Sequence, residues 1–231
     1  MPVFDEAPTV GGVLDAVRVY FDGPVIAVDD GSTDGTADVV AVRDGVSVVR
    51  HERNRGYGAS LASGFAAALA MDVDVVVTMD CDGQHEPRHI PEFCAELAAC
   101  GADIASGSRY LPGSGVAGVV PADRQDVNRR VTAMVNAVTG WGLTDAFCGF
   151  KAYRSSALRC VRVDEPGYAM PLQFWARAWR AGLSIREMPV ERIYYDRDRS
   201  FGQDLDDPER RFRYYVDVWE RTLGEAGGEE A

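Results

Sequence analysis

Lysine is nearly missing from this chain of 231 residues: Lys151 is the only one, and the other 23 of the 24 basic residues are arginines. Acidic residues outnumber them, 36 to 24, giving a net charge of −12, which disfavours a general nucleic-acid binder. Histidine is scarce too: His51, His85 and His89 are too few and too scattered to suggest a zinc centre. The five cysteines, Cys81, Cys94, Cys100, Cys148 and Cys160, are odd in number and form no Cys-x-x-Cys pair. A disulfide framework is therefore not indicated. With no legible secretory leader, reduced thiols in a cytoplasmic protein are the expectation. No apolar run reaches the ~18 residues of a membrane span, which limits any membrane role to peripheral contact. Two glycine signatures are also absent. There is no Gly-x-x-x-x-Gly-Lys-Ser/Thr loop, and Gly56-x-Gly58 lacks the third glycine of a dinucleotide fingerprint.

What is present has the balance of a globular α/β protein, 46% hydrophobic and 26% charged, in a length that can bury a real core. Residues 1–4 read as the end of a strand. Residues 6–21 read as a helix with Val10, Val13, Leu14 and Val17 on one face. Strands are expected at 24–28, 46–50 and 73–79, with helices at 36–42 and 59–71 between them. This alternation predicts a mostly parallel sheet with helices on both faces, a three-layer α/β/α fold. Further on, helices are expected at 87–99, 126–139, 169–181 and 207–223, and strands at 103–107 and 184–195. Residues 111–122 read as a mobile loop, and 143–153 as two short extended pieces around Asp145. The last helix carries Phe212, Tyr215, Val216 and Trp219 as its apolar stripe, and residues 224–231 form an acidic tail.

Chemistry concentrates at the ends of the early strands. One strand stops at Asp80-Cys81-Asp82, and an earlier one at Asp29-Asp30. In a parallel sheet both ends face the carboxyl edge, where open α/β sheets bind their ligands. Two carboxylates there offer hard oxygen donors suited to Mg²⁺ or Mn²⁺, and through the ion to phosphates. Asp29 and Asp30 can cap the next helix or accept hydrogen bonds from a nucleobase or ribose.

The motifs run in order: Pro2-Val3-Phe4-Asp5-Glu6, Val28 through Thr36 (VDDGSTDGT), Asn54-Arg55-Gly56-Tyr57-Gly58, Asp80-Cys81-Asp82-Gly83-Gln84-His85, Gly107-Ser108-Arg109-Tyr110 and Asp145 through Lys151 (DAFCGFK). Together they resemble the family-2 glycosyltransferases of GT-A fold, in particular the polyprenyl-phosphate (dolichol-phosphate) mannosyl- and glucosyltransferases. The resemblance implies an inverting transfer of mannose or glucose from a nucleotide sugar, GDP-mannose or UDP-glucose, to a polyprenyl or dolichyl phosphate at the cytoplasmic side of the membrane. It implies that Pro2, Phe4, Glu6, Asp29 and Asp30 line the base and ribose. Asp80 and Asp82 would hold the metal and diphosphate, with Gln84 close by. Arg109 would meet the phosphates or the acceptor, and Asp145 would serve as base or orienting carboxylate. Arg199 and Ser200 match a late donor-phosphate loop loosely. One arginine among Arg124, Arg129 and Arg130 would meet the acceptor phosphate.

The resemblance further implies one domain over 1–223, with a nucleotide-sugar half (1–110), an acceptor half (111–206) and the C-terminal helix (207–223). That helix is expected to pack on its own domain or on a second copy in a homodimer. Departures from the family pattern are Phe4 for Tyr, Asp5 for Asn and Cys148 for Ser. Members carry a full strand ahead of the Pro2 motif, so a truncated central strand is expected here. Two other readings compete: a glycosyltransferase with a soluble or glycan acceptor, and a non-catalytic nucleotide-sugar-binding protein. A nucleotidyltransferase would want a Gly-rich, Arg/Lys-bearing loop after the first strand, which is missing.

Overall fold

The computed structural model describes residues 1–119, 121–194, 201–202 and 204–225. The first half alternates as expected: β1 (Pro2–Val3), α1 (Val10–Tyr20), β2 (Val25–Asp29), α2 (Thr36–Ala41), β3 (Val46–Arg50), α3 (Tyr57–Leu69), β4 (Val75–Thr78) and α4 (His89–Cys100). Helix α1 starts later than its periodicity suggests. The chain first turns at Asp5, whose φ is +50°, and then closes a turn in which the Thr9 and Val10 amides donate to the Glu6 carbonyl. Aspartate, like asparagine, tolerates this left-handed conformation better than most residues, which rationalises Asp5 in this position.

Strands β1, β2 and β3 pair in parallel, with Val3 opposite Asp29 and Asp29 opposite Arg50. The second half adds β5 (Ile104–Ser108), β6 (Val116–Gly118), α5 (Ala122–Thr139), β7 (Lys151–Arg154), α6 (Ser155–Cys160), α7 (Met170–Arg180), β8 (Ile185–Pro189), β9 (Arg192–Tyr194) and α8 (Pro208–Gly224). Strand β7 inserts antiparallel between β4 and β5, and β8 lies parallel to β5. Parallel neighbours predominate, but the described ladder is interrupted between β1 and β4.

Several expectations need correcting. Residues 111–122 are not wholly loop, since β6 pairs there with β9, and α5 begins at Ala122. The expected strand over 184–195 is two strands. The Val190 amide still donates to the Ser108 carbonyl on β5 at 3.0 Å, and two residues on the Arg192 amide donates to the Gly115 carbonyl at 2.9 Å, so the chain crosses from β5 to β6 between them. Of the two extended pieces expected over 143–153, only β7 is a strand. The Asp145 segment has no strand partner and is held by side chains instead. Helix α6 was not expected at all.

Two cores sandwich the sheet. One gathers α1 and α4 around β2, with Val10, Leu14, Phe93 and Leu97 buried. The other joins α3, α5, α7 and α8 through Phe65, Val131, Trp175 and Trp219. Helix α8 packs on its own domain, burying Tyr215, Val218, Trp219 and Thr222, with Val216 only half-buried. Asp207 caps it, its carboxylate accepting from the Arg210 amide at 2.8 Å, and Pro208 fits the first turn. Asp207→Ala should therefore cost about 1 kcal/mol in urea unfolding. Among the described residues no helix is long and apolar enough to cross a membrane. All five cysteines are free. Burial raises the thiol pKa of Cys81, and that of Cys148 to about 11, so both pack as small apolar residues.

Candidate active site

The carboxyl edge of β1, β2 and β4 opens into a cleft of about 1030 Å³. Its first wall is the N-terminal segment bolted onto the loop after β2. The Asp5 amide donates to Ser32 Oγ at 3.0 Å, the Glu6 amide to Thr36 Oγ1 at 2.8 Å, and the Thr33 amide to Asp5 Oδ1 at 2.8 Å. Pro2, Phe4 and Glu6 line the cleft from this wall, and Phe4 is 44% exposed.

Asp30 also lines the cleft, but its oxygens are occupied. They accept the Arg55 and Gly56 amides at 2.9 and 2.8 Å, and His51 Nδ1 lies 2.5 Å away. His51 is in turn held by Ser63. Asp30 thus closes the 54–56 loop. Asp29 does not line the cleft. It is fully buried behind the wall, accepting the Ser32 amide at 2.9 Å. Arg50 Nε lies 3.2 Å from its Oδ2 but out of hydrogen-bond alignment, so that oxygen has charge compensation without a hydrogen bond.

The second wall is the end of β4. Tyr57 donates its hydroxyl to Asp80 Oδ1 at 3.1 Å, and the Asp80 amide donates to His85 Nδ1 at 3.1 Å. Burial lowers the His85 pKa to about 4, so the ring is neutral. Because Nδ1 accepts, its proton is assigned to Nε2, which lies 3.9 Å from Asp80 Oδ2. Gly149 completes the cradle: a Cβ there would sit 2.5 Å from Asp80 Oδ2. Gly149→Ala should displace the Asp80 carboxylate and weaken Mn²⁺ binding at least tenfold by calorimetry, with the fold retained.

Asp82 accepts the Gln84 amide at 2.9 Å, and Gln84 lines the cleft beside it. Burial, and then the neighbouring Asp80 charge, push the Asp82 pKa up to about 7. Two crowded, partly desolvated carboxylates are electrostatically incomplete, and a divalent cation is the natural complement. Among the described residues no group of three or more acidic, His or Cys side chains gathers as a ready-made metal cage. An oxygen pair that leaves the remaining positions to phosphate and water fits Mg²⁺ or Mn²⁺.

The opposite wall is cationic. Arg109 reaches the cleft, backed by Asp145 through Nε at 2.7 Å and Nη2 at 3.0 Å. Asp145 is fully buried and does not line the cleft. It also accepts the amides of Arg109 and Phe147 and the Asn128 side chain, the last at 2.8 Å. Burial alone would raise its pKa, but the Arg109 charge and these hydrogen bonds hold it below the usual carboxylate range. Its geometry is that of an orienting group.

Of the three arginines expected near the acceptor, Arg124 lines the cleft. Arg129 turns to Asp126, and Arg130 to Glu209 while stacking over Phe212. Arg211 joins Arg124: the two guanidiniums lie over the Phe201 ring, each 4.7 Å from its centroid. Arg211 is buried and paired with Asp123 at 2.8 Å. Tyr168 bridges the walls, stacked on Tyr57 and edge-on to Phe201. Arg199 and Ser200 lie outside the described residues.

Sequence reasoning missed Arg211, Tyr57, His85 and Tyr168. Arg211 had a signal: it is four residues before Tyr215 and eight before Trp219, on the buried stripe of α8.

An α/β sheet with a carboxylate pair at its edge, faced by arginines across one cleft, is the arrangement of a GT-A enzyme. A profile of glycosyl transferase family 2 matches residues 1–162. The chain is 33% identical over 201 residues to an undecaprenyl-phosphate mannosyltransferase of Micrococcus luteus, covering 82% of this chain and 80% of that one. It is 34% identical over 174 residues to a polyprenol monophosphomannose synthase of Mycolicibacterium smegmatis, covering 72% of this chain and 65% of that one. Its fold matches glucosyl-3-phosphoglycerate synthase from Mycobacterium tuberculosis in complex with Mn²⁺, uridine-diphosphate-glucose and phosphoglyceric acid. The TM-score is 0.73 at 22% identity, over 98% of this chain and 79% of that one. The chain belongs to glycosyl transferase family 2 and is a glycosyltransferase.

Proposed function

We propose that the protein moves a hexose, mannose or glucose, from GDP-mannose or UDP-glucose to a polyprenyl phosphate, with inversion at the anomeric carbon. The observation that carries this reading is the Asp80/Asp82 pair facing Arg109, Arg124 and Arg211 across one cleft. An acidic, metal-ready pole suits the donor diphosphate, and a cationic pole suits an acceptor phosphate. Pro2, Phe4, Glu6 and Asp30 are the proposed base and ribose wall, with residues 1–110 as the donor half and 111–206 as the acceptor half. A divalent ion held by Asp82 and Asp80, beside Gln84, would neutralise the departing diphosphate.

In the transfer an acceptor phosphate oxygen bonds to the anomeric carbon as the bond to the donor's β-phosphate oxygen breaks. The nucleoside diphosphate leaves with that electron pair. The attacking oxygen is already ionised at neutral pH, so no strong base is required, and Asp145 acts by orienting Arg109. The names of the two mannosyltransferase relatives support the lipid acceptor, and such an acceptor would bring the protein to the inner face of the membrane as a peripheral enzyme.

A soluble phosphorylated acid is the second reading, favoured by the phosphoglyceric acid in the fold relative and by arginines that would suit either phosphate. The test is a thermal-shift panel of GDP, UDP and their sugars with and without Mn²⁺, followed by transfer of labelled sugar to extracted lipid phosphates or to phosphoglycerate. Stabilisation by a nucleotide diphosphate only when Mn²⁺ is present is expected, with label partitioning into butanol. Label confined to the aqueous phase would favour the soluble acceptor. No metal-dependent shift with any nucleotide would sink the donor assignment.

A further inference from the structure

His51 does not line the cleft, yet it is buried against two of the segments that shape it. It is the first residue past β3, and its amide donates to the Asp29 carbonyl at 2.9 Å. The Asp30 carboxylate can only accept, so the proton between it and the ring is assigned to Nδ1. On the far side of the ring, Nε2 lies 2.9 Å from Ser63 Oγ on α3. One imidazole thus ties the end of β2 to the helix that begins at Tyr57. Asp30 grips the start of that same helix through the Arg55 and Gly56 amides. Gly56 is confined there: its φ is +104°, and a Cβ on it would lie 2.4 Å from the Pro166 carbonyl oxygen. The next residue is Tyr57, whose hydroxyl donates to Asp80 Oδ1. An unbroken run of contacts therefore leads from His51 through Asp30, Gly56 and Tyr57 to Asp80. It joins the nucleotide wall to the carboxylate pair.

We propose that His51 is a positioning residue of the donor site, acting through Asp30 on the nucleotide wall and through the start of α3 on Asp80. This inference rests on the donor reading above. The terminal torsion of an aspartate is soft, so its carboxylate is aimed by its partners. Among the described residues, His51 is the one side chain that holds the Asp30 carboxylate from outside the 54–56 loop. Without it, carboxylate and loop would shift together, and Tyr57 with them. Partners behind a ligating or binding carboxylate act in this way, by orienting it. The cationic wall has separate supports, Asp145 behind Arg109 and Asp123 beside Arg211, so the effect should fall on the donor and not on the acceptor.

The test compares three substitutions. His51→Phe keeps the ring and removes both nitrogens. His51→Asn puts a side-chain N–H near the position of Nδ1, and His51→Gln puts one near Nε2. Binding of GDP and UDP with Mn²⁺ is measured by calorimetry, with the kinetics of transfer to an extracted lipid phosphate in parallel. His51→Phe should weaken the nucleotide that the parent binds at least tenfold and raise the donor KM to match. Its kcat should stay within threefold of the parent and its acceptor KM within twofold, the pattern of lost donor binding and not of a loosened fold. His51→Asn should restore donor affinity to within threefold of the parent, and His51→Gln should not. Should His51→Phe fail to fold, the contrast between Asn and Gln decides alone. Parent-like nucleotide affinity in His51→Phe would overturn the role. So would a joint rise of both KM values with a fall in kcat, or equal rescue by Gln and Asn. A parent that binds neither nucleotide would instead sink the donor reading, and this inference with it.

Discussion

Asp82→Asn should give a protein that is more heat-stable without metal but severely slowed in turnover. Burial and the Asp80 charge raise the folded pKa of Asp82 to about 7, whereas in the unfolded chain it lies near ~3.9. The folded state therefore holds that proton more tightly. Metal-free stability falls as pH climbs from about 4 to about 7, and is flat beyond, because the folded protein must give up a proton it prefers to keep. Asparagine has no proton to lose. At pH 8 without metal the variant should melt a few degrees higher than the parent, at ~2–4 °C per kcal/mol for a chain of this size, and below about pH 4 the two should coincide. With Mn²⁺ and a nucleotide diphosphate the order should reverse, since only the parent gains binding energy. Turnover should fall by about a thousandfold, from loss of charge stabilisation at the leaving group. If Asp82 ligates the ion as proposed, protons and metal compete for one carboxylate, and Mn²⁺ affinity should drop about tenfold per pH unit below 7. Calorimetry across pH 5.5–8 checks this; a pH-independent affinity would remove Asp82 from the metal site.

The parts of this architecture that local chemistry dictates were legible in the sequence. Strand β3 falls where its β-branched run lies, and the Asp80-Cys81-Asp82 turn follows β4 because the apolar run ends there. The cleft residues Pro2, Phe4, Glu6, Asp30, Gln84 and Arg109 converge because each lies at or just beyond the carboxyl end of β1, β2, β4 or β5. What stayed hidden depends on contacts between distant segments. Asp29 and Asp30 are adjacent, and nothing local says that the pleat turns one into the cleft and buries the other behind Ser32. Arg124, Arg129 and Arg130 are close in the chain, yet Asp126 and Glu209 claim two of them and leave Arg124 to Phe201. Glu187 on β8 takes the amides of Thr144 and Asp145 at 2.9–3.0 Å, and so fixes a segment whose sequence reads as extended but whose partners are side chains. Gly149 looks like any loop glycine until Asp80 is placed against it.

Asp145→Ala should be the most destabilising single change in the site, and the Arg109 partner explains why. The guanidinium is buried, and burial alone would lower its pKa, but Asp145 raises it well above the usual value, so it is always charged. Removing the carboxylate strands that charge and leaves the Asn128 and Phe147 donors unmet, a loss of roughly 3–5 kcal/mol in urea unfolding. The double change Arg109→Met with Asp145→Leu should recover most of that stability, because a buried pair replaced by apolar groups is often neutral, while activity stays absent. The lowered pKa of Asp145 sets the pH behaviour. Its stabilisation is complete above about pH 4, the unfolded value, and is lost as pH falls through the lower folded value. Asp145→Asn, which keeps one acceptor oxygen but cannot ionise, should lack that acid limb. The kinetic signature separates orienting from base chemistry. If Asp145 holds Arg109 against an anionic acceptor, Asp145→Asn should raise the acceptor KM about tenfold or more and leave the pH profile of kcat unchanged between 6 and 8. If it instead removes a proton, kcat alone should collapse and its alkaline plateau disappear. The first outcome is expected, since every lone-pair direction of the carboxylate is already met by Arg109, Asn128 and backbone donors.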